Sequence, residues 1–324
     1  MIKRILVTGS SGTVGTALVQ ALGDAGCTVT PLDIRHSIWD ARIDRRTIIH
    51  DLRKPFDKLR LHHKPDLIIH LAANARVHDS VIQPQMAFDN YLMTYNVLEY
   101  ARKRGIERVL FSSSREVYGE TNARSRIRED NTHVIRMKAP YTASKFASEA
   151  LIHSYHDCYG IKPVIVRLSN VYGRYDVSER VIPLFLYYAK RNRELCVFGK
   201  DKKLDFTYID DCTDGLVRIV KRFDRVAGLT FNISTGEGER LVDLARMIAD
   251  VVGSFSKITT TDKRVGEISS FVGDISLART KLGYRPRVTL QDGLQATAEW
   301  YFEVMKQRRI YATQRRNLAR RGWA

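Results

Sequence analysis

The sequence predicts an α/β fold, a doubly wound parallel sheet with a smaller lobe toward the C-terminus. Three observations lead there. Short apolar, β-branched runs alternate with helix-period segments through the first half of the chain. A glycine-rich turn, Thr8-Gly9-Ser10-Ser11-Gly12-Thr13-Val14-Gly15, stands between the first run and the first helical segment. An acid, Asp33, closes the second run.

Continuous apolar character marks strands at 4–8, 28–33, 47–51, 67–72, 108–113 and 164–168, as expected for strands covered on both faces. Helical periodicity marks 13–22, 86–103 and 144–159 between them. Beyond residue 172 the pattern is less regular. It predicts helices at 181–191, 211–221, 241–252 and 291–305 and strands at 206–209 and 230–233. The expected division is a sheet domain over 1–171, rejoined by about 205–235, and a lobe from 172–204 and 236–305. Residues 306–324 form a basic extension with no acid.

The 324 residues carry 53 Lys+Arg against 36 Asp+Glu, a net charge of +17, and 44% are hydrophobic. That apolar content excludes wholesale disorder. No apolar run reaches the roughly 20 residues that span a bilayer. The chain opens directly into a strand pattern without a small-residue cleavage site, so a cytoplasmic location is expected. Cys27, Cys158, Cys196 and Cys212 are too scattered for a zinc site or a disulfide framework, and no metal is expected.

The glycine turn carries the first chemistry. Glycines let the chain turn tightly, approach a pyrophosphate and bring a helix N-terminus onto it. A carboxylate at the end of the second strand, Asp33, suits the adenosine ribose hydroxyls and repels a 2′-phosphate, which favours NAD over NADP. Arg35, two residues on, pulls the other way.

The second chemical feature is Tyr141-Thr142-Ala143-Ser144-Lys145. A helix places Tyr141 and Lys145 on one face, and an ammonium there is expected to lower the phenol's pKa and make Tyr141 a general base. The stretch Phe111-Ser112-Ser113-Ser114-Arg115-Glu116-Val117-Tyr118-Gly119 ends a strand where doubly wound sheets bind ligands, with Ser114 expected beside the reacting oxygen.

With these motifs the chain resembles the extended short-chain dehydrogenases/reductases of the NAD-dependent nucleotide-sugar epimerase/dehydratase family, UDP-glucose 4-epimerase-like, with a Rossmann sheet. The ordered matches continue through Asp51-Leu52, His70-Leu71-Ala72-Ala73, Asn90, Asn96, Arg167-Leu168-Ser169-Asn170-Val171-Tyr172-Gly173 and Asp205-Phe206 to Leu282-Gly283-Tyr284. The resemblance implies NAD held by Gly9, Gly12, Thr13, Val14, Gly15, Asp33, Asp51, Leu52, Leu71, Ala72, Ala73, Asn90, Ser112, Tyr141 and Lys145. It implies catalysis by Ser114, Tyr141, Lys145 and Glu116. It implies a nucleotide sugar, a UDP-sugar first, held by Ser114, Arg115, Asn170, Arg174, Val197, Phe198 and Arg264. It also implies a homodimer through a four-helix bundle.

The shared reaction of that family begins with oxidation at C4 of the sugar. Dehydratases carry an Asp-Glu pair where this chain has Arg115-Glu116, and arginine, with a pKa above about 12, cannot protonate a leaving hydroxyl. C4 epimerisation of a UDP-hexose or UDP-hexuronate is therefore placed first, with dehydration or uronate decarboxylation through Glu116 as the alternative. Leu204 stands where the family has a phosphate-binding arginine, and Arg174 is expected to supply that contact. An RNA-binding role, suggested by the charge, is disfavoured because Ser114, Tyr141 and Lys145 are all retained and no RNP-like aromatic motif is present. A weak contact of the basic tail with an anionic membrane surface is a further expectation.

Overall fold

The computed structural model describes residues 2–56, 59, 61–120, 126–131 and 137–306. The chain begins with β1 (Arg4–Thr8), α1 (Thr13–Asp24), β2 (Thr28–Asp33), α2 (Ala41–Arg46), β3 (Ile48–Ile49) and β4 (Leu67–His70). Next come α3 (Val77–Ile82), α4 (Gln85–Arg104), β5 (Arg108–Ser114), α5 (Pro140–Tyr159) and β6 (Lys162–Leu168). They are followed by β7 (Asn170–Tyr172), α6 (Val181–Ala189), β8 (Leu195–Phe198), β9 (Lys203–Leu204), β10 (Phe206–Tyr208) and α7 (Ile209–Val226). The last are β11 (Thr230–Ile233), β12 (Glu239–Arg240), α8 (Leu241–Val252), β13 (Ile258–Thr261), β14 (Ser270–Phe271), α9 (Ser276–Leu282) and α10 (Leu290–Lys306).

Seven strands form one parallel sheet in the order β3-β2-β1-β4-β5-β6-β11. Alternate residues of β1 serve opposite faces, as strand pleating requires: Ile5 and Val7 join a core with Leu18 of α1 and Leu216 of α7, while Leu6 joins Val97 of α4 and Ile152 of α5. β4 divides in the same way, Leu67 and Ile69 to one side and Ile68 to the other. Helices on both faces explain why these strands are apolar throughout. The strand order turns back at β1 and β4, and ligands of such sheets bind at the carboxyl ends beside that point. The doubly wound Rossmann sheet expected from the sequence is present.

α5 starts at Pro140, not at residue 144, because proline at the first helical position needs no N–H partner and is already set at a helical φ. Tyr141 thus lies in the first turn. β4 ends at His70, so residues 71–73 leave the sheet and turn into the cleft. The 47–51 strand contracts to Ile48–Ile49, and the 211–221 helix extends to Ile209–Val226.

Beyond β6 the chain makes a small β7–β10 pair, a β12-β9-β14 sheet and a β8–β13 pair, and β11 returns to the main sheet beside β6. No helix among the described residues is long and apolar enough to cross a membrane. Among the described residues no group of three or more His, Cys, Asp or Glu is placed to hold a metal. The basic tail, apart from Lys306 at the end of α10, and its expected membrane contact lie outside the described residues.

Candidate active site

A cavity of about 800 Å³ opens at the carboxyl ends of β1, β2, β4 and β5 and continues between them and the segments that follow β6. At its floor Gly9 has φ +73, and a side chain there would bring a Cβ within 2.7 Å of Ala72 N. A Cβ on Gly15 would strike the Gly9 carbonyl. These two glycines let the turn and the start of α1, with Thr13 and Val14, close against residues 71–73. Gly12 is the α1 N-cap and makes no side-chain cap, leaving the helix end to a ligand.

Asp33 is only 8% exposed and ends β2 at the cavity. One carboxylate oxygen accepts the Ser11 N–H at 2.9 Å, the other the Arg35 N–H at 3.1 Å. The side chain is thereby aimed and still able to accept from ribose hydroxyls. Asp51 and Leu52 form the next stretch of wall. Asp51 is gripped by Arg53 at 2.7 Å, which holds its carboxyl below the usual range, and Asn96 fixes Leu52 by donating to its carbonyl at 2.7 Å. Leu71, Ala72 and Ala73 complete that side. These residues fit a dinucleotide: a glycine cradle, an open helix end, a ribose acid and an apolar slot.

At the far end of β5, Ser112, Ser114 and Tyr141 line the same cavity. Burial pushes the Tyr141 phenol above its ordinary value, a hydrogen bond with Ser114 opposes that, and nearby Glu116 adds to it. This corrects the expected lowering by Lys145. The ammonium is directed elsewhere: Nζ donates to the Ser112 carbonyl at 2.7 Å and lies 4.8 Å from the Phe111 ring centre. Burial brings Lys145 down to about 8, with Glu149 working against that fall. Lys145 does not line the cavity; it braces the end of β5 from behind. Asn90 is likewise one layer back, accepting the Asn74 N–H at 2.7 Å and so setting the loop after β4. His70, buried under the cavity, touches Thr8 Oγ1 at 2.8 Å and Thr94 Oγ1 at 3.3 Å, and burial holds it down at about 3.

The other end of the cavity carries charge. Arg115 Nη2 meets Glu116 Oε1 at 2.9 Å and donates to Asn170 Oδ1 at 3.0 Å. Val197 and Phe198 line the wall, and the Arg264 guanidinium lies 4.0 Å above the Phe198 ring. Arg174 is the second correction. It pairs with Asp210 at 2.6 Å, lies over the Tyr175 ring and is not part of the wall, whereas the sequence suggested a side chain turned toward the substrate phosphates. Sequence reasoning missed Lys202, which pairs with Glu267 at 2.6 Å and is 8% exposed, and Arg180 at the start of α6; all three line the cavity. Glu267 had a signal, the end of Arg264-Val265-Gly266-Glu267, but Lys202 was one of three lysines with nothing local to single it out.

A switch-point dinucleotide cleft joined to a Ser114–Tyr141 pair defines an extended short-chain dehydrogenase/reductase. A profile of the NAD dependent epimerase/dehydratase family matches residues 5–234, and the chain belongs to that family. NAD is accordingly its cofactor. Among relatives, a putative UDP-glucose 4-epimerase of Methanocaldococcus jannaschii is 31% identical over 305 residues, covering 91% of this chain and 97% of its own. A UDP-glucose 4-epimerase from Thermotoga maritima, solved with UDP-glucose, superimposes with a TM-score of 0.85 at 27% identity, covering 93% of this chain and 99% of its own. A dTDP-glucose 4,6-dehydratase from Streptomyces venezuelae, solved with NAD bound, gives a TM-score of 0.85 at 27% identity, covering 94% and 98%. Both reaction types are thus represented among its relatives, and the chain is an NAD-dependent nucleotide-sugar epimerase/dehydratase.

Proposed function

We propose that the protein inverts C4 of a UDP-hexose or UDP-hexuronate through a transient 4-keto sugar. What carries the reading is the identity of the residue after the catalytic serine: Arg115, in ion contact with Glu116, where a dehydratase places a carboxylic acid. No proton donor for a leaving hydroxyl stands at that position.

Ser114 holds O4 and Tyr141 takes its proton, later returning it. NAD held by the glycine turn and Asp33 would supply acceptance and return of the C4 hydride, and a positive ring beside Tyr141 would favour the phenolate that burial alone opposes. Lys145 keeps the end of β5 in place through the Ser112 carbonyl. Asp33 orients the adenosine ribose. Arg264 over Phe198 suits a diphosphate beside a nucleotide base, and Asn170, which accepts from Arg115, lines the same cavity. In this reading 172–204 and 236–305 are the sugar-nucleotide lobe, and the protein acts in the cytoplasm. It pairs as a homodimer through α4 and α5, a reading supported by Phe88 and Tyr95, 58% and 42% exposed on α4.

The test is incubation with NAD and a panel of UDP-sugars in deuterated water, followed by NMR of the products. Inversion at C4 without solvent deuterium is the expected outcome. A second reading, dehydration or decarboxylation through Glu116, is favoured by Glu116 Oε2, which is buried without a hydrogen-bond partner among the described residues. Deuterium at C5 or C6, or release of CO₂, would establish it instead.

A further inference from the structure

We propose that Arg115 and Glu116 act together as a selectivity edge that admits a neutral hexose and turns away a hexuronate; this rests on the C4-epimerase reading and narrows its substrate class. Arg115 is 8% and Glu116 4% exposed, and both line the cavity close enough to Tyr141 to act on its phenol. Their contact uses Nη2 and Oε1, and Nη2 is also committed to Asn170. Nη1 and Oε2 have no hydrogen-bond partner among the described residues. A buried donor and a buried acceptor left unmade are unfavourable, so the pair calls for one of each from a ligand. A hydroxyl supplies both, giving its proton to Oε2 and taking an N–H from Nη1. The terminal torsion of a glutamate is broad, so rotation of the carboxylate exchanges the places of its two oxygens.

Charge counting points the same way. Lys202 and Glu267 place a second ion pair close enough for Lys202 to sense both Arg115 and Glu116. Within these two pairs, two cations and two carboxylates balance. A uronate carboxylate that takes Arg115 from Glu116 strands a buried carboxylate, and one that does not meets the Glu116 charge unscreened by its partner. Inversion at C4 requires the keto sugar to present both faces, so the C5 substituent comes past this edge in at least one orientation. Arg180 also lines the cavity, and its charge reaches the Tyr141 phenol together with those of Arg115 and Glu116.

The experiment measures binding of UDP-glucose and UDP-glucuronate by calorimetry to the NAD-loaded Tyr141→Phe protein, which blocks turnover. The glucose nucleotide is expected to bind at least about tenfold more tightly, the scale on which a site with paired polar groups discriminates. Glu116→Gln is expected to shrink that ratio about tenfold, because Arg115 is then free for a carboxylate, and Arg115→Gln to widen it. Glu116→Gln is isosteric and carries the test by itself should Arg115→Gln not fold. Tighter binding of the glucuronate, or a ratio that neither variant moves or that both move in one direction, overturns the proposal. C4 inversion by the unblocked enzyme is followed in parallel. UDP-glucose bound with the expected preference but never inverted removes the epimerase reading and leaves the selectivity edge standing. Failure to bind either nucleotide removes both.

Discussion

Arg167 and Glu149 meet in the core behind the serine strand, Nη2 to Oε2 at 2.7 Å and Nε to Oε1 at 3.1 Å, each side chain 5% exposed. The same carboxylate takes the Ser113 hydroxyl, so one ion pair ties β6, α5 and the end of β5 together. Breaking such a pair from one side leaves a buried charge. Glu149→Gln is expected to cost about 3 kcal/mol in urea unfolding, whereas the double change Arg167→Met with Glu149→Leu recovers most of the loss. Equal costs for the single and double variants would show that the pair is not the source.

His70 sets an acid limit on the fold. Its folded pKa of about 3 lies below the unfolded 6.5, so between those values the unfolded chain binds a proton that the folded one does not. Stability attributable to this residue is complete above pH 6.5 and is lost as pH falls toward 3, on the order of 3–5 kcal/mol over the window. Denaturant unfolding of wild type and His70→Gln across that range checks it: the curve of the variant should be flatter.

Tyr141→Phe removes the proposed base and keeps the ring, so kcat is expected to fall by a factor of about 100 or more with little change in nucleotide-sugar affinity. Near wild-type turnover would mean that the proton leaves by another route.

Gly15→Ala places a methyl group against the Gly9 carbonyl and should weaken NAD binding by about tenfold or more, read by calorimetry, since the pyrophosphate turn must open to relieve it. Asp33→Ser should narrow the preference for NAD over NADP, because Arg35 then stands beside the ribose without its neighbouring carboxylate. An unchanged preference would assign the discrimination to another residue.

The glycine turn, Asp33 and the Tyr141–Lys145 spacing were legible because each is local: a turn, a strand end and one helical repeat. The partners of those residues were not. Lys145 answers to the Ser112 carbonyl and Arg174 to Asp210, contacts fixed by tertiary packing, and both differ from what nearest neighbours suggested. Lys202 and Glu267 come together only because β9 and β14 pair. The short helices α2, α3 and α9 have too few turns to impose a period and were missed, and the two-residue strands β9, β12 and β14 offer no alternation to read.

The placement of β11 has a consequence for how the chain is made. When residues 1–171 have left the ribosome, six strands of the main sheet exist, but the flank of β6 that will receive Thr230–Ile233 is still an open row of backbone donors and acceptors. That exposed flank must wait for the whole segment from β7 through α7 to be synthesised. Translation pauses between residues 171 and 234 would therefore prolong the interval in which nascent chains can pair with one another, and a gene truncated after residue 171 would yield a sticky fragment rather than a self-sufficient domain.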